Sequence, residues 1–280
     1  MTEPRLPADW LSKLGALLDP YERQARLYPG LLCLLPALVM ATALYGHQLL
    51  DLKGLVALVG AAGVAYLLGD IARSQGKAKE KALWTKWGGV PSVQVLRHRD
   101  ETLDAVSKRR YHALLAKKIK TPFPTMEAEL ADPRGADDLY AAGGNWLREA
   151  TRDKKKFGLL FKDNVTYGFR RNGYGLRWIG LSICLAVAVW IALRSGMKAW
   201  AQRLDVAATP EALLTTGEAV TLASVVGMAL VWAFFFSEEG VRQAAFSYAS
   251  RLALACELVA GISTAEAKTA KQPPAEESKT

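Results

Sequence analysis

Three cysteines, three histidines and a surplus of basic over acidic side chains, 36 against 27, carry whatever chemistry this 280-residue chain performs. Catalysis and metal binding need such groups at matched spacings. Cys33, Cys184 and Cys256 form no CxxC pair, which excludes structural zinc and thioredoxin-type exchange. His47, His98 and His112 form neither HExxH nor any paired-histidine spacing, so no metal and no cofactor are expected. His98-Arg99-Asp100 spells the catalytic-loop triplet of protein kinases, but no glycine-rich loop, DFG or suitably offset Asn accompanies it. Gly173-Tyr174-Gly175 matches the end of a potassium-channel filter, yet it stands between Arg170-Arg171-Asn172 and Arg177 and reads as a juxtamembrane turn. The carboxylates Asp100, Glu101 and Asp104, with the basic clusters, offer an enzyme acting on a membrane-associated phosphate compound. The simpler reading makes them an acidic helix start that complements the helix dipole.

Positive charge is the stronger signal. Arg148, Arg152, Lys154, Lys155 and Lys156 form one cluster, and Lys108 to Arg110 with Lys117, Lys118 and Lys120 form another. Arg170, Arg171 and Arg177 alternate with Tyr167, Phe169, Tyr174 and Trp178. Basic segments beside a membrane gain about 1 kcal/mol per residue from anionic lipid, so binding of anionic lipid is the first expectation. A pocket for an anionic ligand such as a nucleotide, built from Arg148, Arg152, Lys154 to Lys156, Arg170, Arg171 and Arg177, is the sharper one. Nucleic acid is disfavoured because no recognisable module is present.

The elements that must position these groups are dominated by four uncharged or nearly uncharged runs: 30–46, 54–69, 178–193 and 217–236. Each approaches the roughly 20 apolar residues that cross a bilayer. With only seven residues between them, the first two must form an antiparallel hairpin. The segments outside the two short loops carry 32 of the 36 basic residues, 23 of them in 70–177. By the positive-inside rule, both termini and 70–177 are cytoplasmic, in the inner membrane of a bacterial cell. No cleavable signal peptide is expected. The spans hold no ionisable residue at their centres, which disfavours a coupled transporter. They do hold small residues at four-residue spacing, Ala57, Ala61, Ala65 and Gly69, then Ala219, Ala223 and Gly227, which let helix backbones approach, within the chain or in a homo-oligomer.

The fold class expected is an all-α membrane protein, four transmembrane helices in two hairpin-like halves with a mainly helical cytosolic domain between them. Residues 1–29 read as a cytoplasmic amphipathic segment, with Asp19-Pro20 starting a helix that runs into the first span. Residues 30–69 form the first hairpin, 70–177 the basic domain, 178–236 the second pair and 237–262 a cytoplasmic helix. The tail 263–280 lacks apolar mass and is expected to be disordered. Within 70–177, helices are expected at 100–120 and 137–151, a short strand at 93–96, and strand or helix at 157–161. This layout resembles membrane effectors of bacterial defence and nucleotide-signalling systems, a likeness of architecture without residue correspondence. The expected function is a non-enzymatic multi-pass inner-membrane protein whose basic domain binds an anionic ligand or a cytosolic partner and acts on the membrane, as an oligomeric effector. A scaffold anchoring a partner complex is the alternative.

Overall fold

The computed structural model describes residues 19–49, 52–206 and 213–269. Among these no strand occurs, and the fold is all-α. Asp19 accepts the Tyr21 N–H at 2.8 Å, with Pro20 at the first helical position. The short α1 (Pro20–Glu22) thus started leads through a π-helical turn, Arg23–Leu27, into α2 (Tyr28–Leu49). There follow α3 (Leu52–Lys86), α4 (Pro91–Gln94), α5 (Ala105–Ile119), α6 (Met126–Ala131), α7 (Pro133–Ala150), α8 (Gly158–Arg194), α9 (Gly196–Val206), α10 (Thr216–Leu230) and α11 (Glu238–Thr269). A second π-helical turn, Val231–Phe235, ends α10. Three stretches are long and apolar enough to cross a membrane: Pro20–Gly46, Gly158–Arg194 and Thr216–Phe235, with mean hydropathies of 1.9, 2.1 and 1.8. The remaining expected span, 54–69, is helical within α3. The amphipathic segment up to residue 18 lies outside the described residues.

Several local expectations are corrected. Val93 to Leu96 is not a strand: Pro91 starts a helical turn, and all four residues are buried. Four apolar-leaning residues cannot separate the two periodicities, and Pro at a helix start decides it. Residues 158–161 are the first turn of α8. Gly173-Tyr174-Gly175 is no turn either, because it lies inside α8. Its glycines serve close approach: the Phe236 ring occupies the place of a Gly173 side chain, and a Cβ on Gly175 would stand 2.6 Å from Gly76 N. Helix α11 runs to Thr269, seven residues into the expected disordered tail. That stretch is rich in Ala, Glu and Lys, which favour helix without any apolar face.

The chain divides into two compact units, one of residues up to Leu83 with Val165–Arg242, the other of Trp84–Asn164 with Gln243 onward. This differs from the expected domain at 70–177: α3, α8 and α11 each contribute to both units, since their helices continue past the apolar stretches. In the first unit, Gly30 of α2 lies against the Ala65 carbonyl and Gly69 N of α3, so the lower half of the first small-residue ridge packs within the chain. Ala61 is half-buried, and Ala57 is outside the described side chains. Ala219, Ala223 and Gly227 point outward and pack on nothing among the described residues; α10 buries Glu218, Thr221, Val225 and Met228 instead.

Gly175→Ala forces α3 and α8 apart at Gly76, and overpacking of this kind costs about 1–3 kcal/mol. Thermal unfolding in neutral detergent should show a lowered midpoint, whereas Gly227→Ala, which meets open space, should not. Equal behaviour of the two variants would remove the close crossing.

The second unit closes around Tyr111 and Leu115 of α5, Tyr140 and Leu147 of α7, and Leu252 and Cys256 of α11. Helix α5 starts later than expected because Asp104 caps it, accepting Val106 and Ser107 N–H at 3.1 and 2.8 Å. Asp132, ahead of Pro133, caps α7 through Gly135 N at 3.0 Å.

Candidate ligand cavity and basic surface

Within the second unit, the segment 88–104 is pinned by polar side chains. Arg97 grips Asp137 with two parallel bonds, Nε to Oδ1 at 2.8 Å and Nη2 to Oδ2 at 2.6 Å, and its Nη1 donates to the Gly88 carbonyl at 2.9 Å. Gly89 has φ +133°, and a side chain there would strike Arg97, so the turn needs glycine on both counts. Glu129 of α6, 3% exposed, accepts the His98 N–H at 2.8 Å and the Tyr140 hydroxyl at 2.7 Å. Burial by itself would raise the Glu129 carboxyl, but those two donors with the His98 and Arg99 charges outweigh it and hold it below the ordinary range. The Tyr140 hydroxyl is pushed up by burial and by its bond to Glu129. Lys108 of α5 is buried, with Nζ donating to the carbonyls of Arg97 and Asp100. Burial pulls its ammonium down, against the nearby carboxylates of Asp100 and Glu129.

This frame encloses a cavity of about 480 Å³ whose walls include His98, Asp100, Glu101, Asp104, Lys108, Arg109 and His112. The two imidazoles meet edge to face with centroids 5.0 Å apart. His98 Nε2 lies 2.9 Å from the Pro124 carbonyl and His112 Nε2 lies 2.7 Å from the Leu96 carbonyl. A carbonyl only accepts, so both Nε2 atoms carry hydrogen, and Nδ1 of each neutral ring is an acceptor. Burial lowers His112 to about 4, with His98 and Lys108 acting the same way against the Leu96 carbonyl and Glu129. Asp104 is held below the usual carboxylate range by the Ser107 N–H. The structure thus gathers Asp100, Glu101 and Asp104 at one cavity, with Asp104 occupied as a helix cap. No Ser, Thr, Cys or Tyr lines that wall, and no group of three metal-ligating side chains occurs among the described residues, so the arrangement suits binding more than covalent chemistry.

The basic candidates fall in both units. In the second, Arg148 donates to Ser92 Oγ at 3.3 Å and to Asn145, and Arg152 pairs with Glu149 at 2.8 Å. The Lys154 ammonium lies 5.0 Å from the Phe161 ring centre, while the main-chain N–H groups of Lys155 and Lys156 bind Asp153 at 2.9 and 3.1 Å. The five residues Arg148, Arg152 and Lys154 to Lys156 are all exposed. In the first unit, Arg170 and Arg177 sit on α8 and donate to main-chain carbonyls of the π-helical turn, to Phe235 at 2.6 Å and Ala233 at 3.1 Å. The Arg170 guanidinium also covers the Phe235 ring at 3.5 Å. Arg171, buried, donates to Glu80 Oε1 at 2.9 Å. These three therefore close off helix ends and a buried carboxylate.

Sequence reasoning missed Glu80, Glu129, Tyr140 and the His98–His112 pair as partners. Nothing in the spacing signals them, because they meet only through the tertiary fold. Comparison with protein-family models, with curated proteins and with solved structures finds no match.

Proposed function

We propose that the chain is a non-enzymatic multi-pass protein of a bacterial inner membrane, with four spans including 54–69 and both termini cytoplasmic. In this reading its basic unit holds anionic lipid headgroups or an anionic partner and acts on the membrane as an oligomer. Three apolar helices and the one-sided distribution of Lys and Arg support the topology. Tyr45, Trp190 and Arg194 support the level of the outer boundary: Trp190 Nε1 donates to the Tyr45 hydroxyl at 3.4 Å, and Arg194 lies over the same ring at 5.6 Å. The outward ridge Ala219, Ala223 and Gly227 offers a face for another helix.

The observation that carries the functional reading is the exposed basic surface, five cations within nine residues at 148–156. Five such charges gain about 5 kcal/mol from an anionic leaflet, and salt weakens that gain. Expression of the full chain should lower the membrane potential reported by a voltage-sensitive dye. The combined variant Arg152→Ala, Lys154→Ala, Lys155→Ala and Lys156→Ala should reach the membrane equally and leave the potential intact. A potential unaffected by either chain at confirmed membrane expression would refute the effector reading.

A further inference from the structure

The cavity at the start of α5 is a different place from the basic surface, and its free groups have the opposite character. Lys108 lines it, but its ammonium is turned onto the main-chain carbonyls of Arg97 and Asp100. Asp104 is engaged as the helix cap, and one oxygen of Asp100 accepts the Thr102 N–H at 2.9 Å. What remains for a visitor is mostly acceptors: the second oxygen of Asp100, the carboxylate of Glu101, and the Nδ1 atoms of His98 and His112. Arg109, at the exposed rim, is the donor set against them. His112 is 7% exposed, and its Nδ1 has no hydrogen-bond partner among the described residues. A buried acceptor beside a cavity calls for a donor to complete it. Leu103, Ala105 and Met126 supply an apolar wall.

An anionic ligand would meet two unneutralised carboxylates and two acceptor nitrogens, with one guanidinium in its favour. Such a ligand loses more than it gains. An ammonium group has the reverse balance: three N–H donors, a positive charge for Asp100 and Glu101, and methylenes for the apolar wall. We infer that this cavity binds a small organic amine, an alkyl di- or polyamine whose ammonium lies between Asp100, Glu101 and the two imidazoles. The site works independently of the basic surface, so the protein carries receptors of opposite sign on one unit. Lys108 completes the design: its buried charge holds the main chain of Arg97 and Asp100 in place while only its methylenes face the ligand.

Calorimetric titration of the full chain in a neutral maltoside detergent, with spermidine as probe, tests this. Saturable binding at one site is expected, weakened at least tenfold by the combined Asp100→Asn and Glu101→Gln variant. Those carboxylates are not core groups, and Asn retains an oxygen for Thr102, so the variant's melting curve should match that of the parent chain. Glu101→Gln alone, at a fully exposed position, should weaken binding severalfold and guards against any misfolding of the double variant. Binding should persist in magnesium at millimolar concentration, since no cluster of metal ligands is present among the described residues. The inference is overturned by the absence of heat at millimolar spermidine, by full displacement with magnesium, or by equal affinity of parent and variants. Binding of inorganic phosphate that is lost in Arg109→Ala would overturn it as well.

Discussion

Glu80→Ala should lower the stability of the first unit by about 3–5 kcal/mol, the usual consequence of removing one partner from a buried ion pair. Glu80 and Arg171 are 14% and 10% exposed and meet at 2.9 Å, with the Tyr167 hydroxyl donating to the same carboxylate oxygen at 2.5 Å. Beside them Asn172, fully buried, donates to the Ala25 carbonyl at 2.7 Å. Truncation of Glu80 therefore strands a guanidinium and a phenol among packed helices, where water cannot replace the lost acceptor. Replacing both charges, as in Glu80→Met with Arg171→Met, removes the stranded group and should recover much of the loss. Unfolding midpoints in detergent measure both. If the double variant is as unstable as Glu80→Ala, the pair is not what holds this layer. The same geometry removes Arg171 from the set available to an outside anion.

Acidification from about pH 6.5 to about pH 4 should cost the second unit about 3 kcal/mol through His112 alone. The folded chain holds this imidazole at about 4, against an ordinary value of 6.5. Between those values the unfolded chain binds the proton and the folded chain does not, so stability rises with pH across the window. It is complete above 6.5 and is lost as pH falls toward 4. Glu129, held below its ordinary 4.5, adds a further loss in more acidic solution, with the same sign. His112→Gln keeps a donor for the Leu96 carbonyl but cannot take the proton. Melting temperatures from pH 7 to 4.5 should therefore fall less steeply in the variant, and parallel curves would contradict the assignment.

The transmembrane candidates were readable because hydropathy is a local property: 30–46, 178–193 and 217–236 each lie within a helix of the required length. Helix starts were readable in part for the same reason, since Asp19-Pro20 is a signal of adjacent residues. The expected strand at 93–96 failed because its burial is imposed by α7 and the loop around it, which a run of four residues does not reveal. The turn expected at Gly173-Tyr174-Gly175 failed because glycine has two uses, a free backbone and a missing side chain, and only the packing of Gly76 and Phe236 tells which applies. The basic clusters were visible as charge, but charge does not reveal whether a guanidinium is already engaged. Arg171 finds its carboxylate 91 positions away, and Glu129 joins His98 to Tyr140 across three separate elements. Such long-range pairings leave no spacing to read.

The core of the second unit also imposes an order on biosynthesis. Its walls from Val93 to Leu160 emerge early, yet Ala249, Leu252, Ala253, Cys256 and Val259 complete it. About 85 residues separate Asn164 from Ala249, and at ribosomal rates of roughly 5–20 residues per second that interval lasts on the order of ten seconds. Throughout it Tyr140, Leu147 and Phe157 lack their final cover while α8 and α10 are being inserted. A nascent chain stalled before residue 249 should therefore present a sticky, half-built surface to chaperones, and one stalled beyond 259 should not.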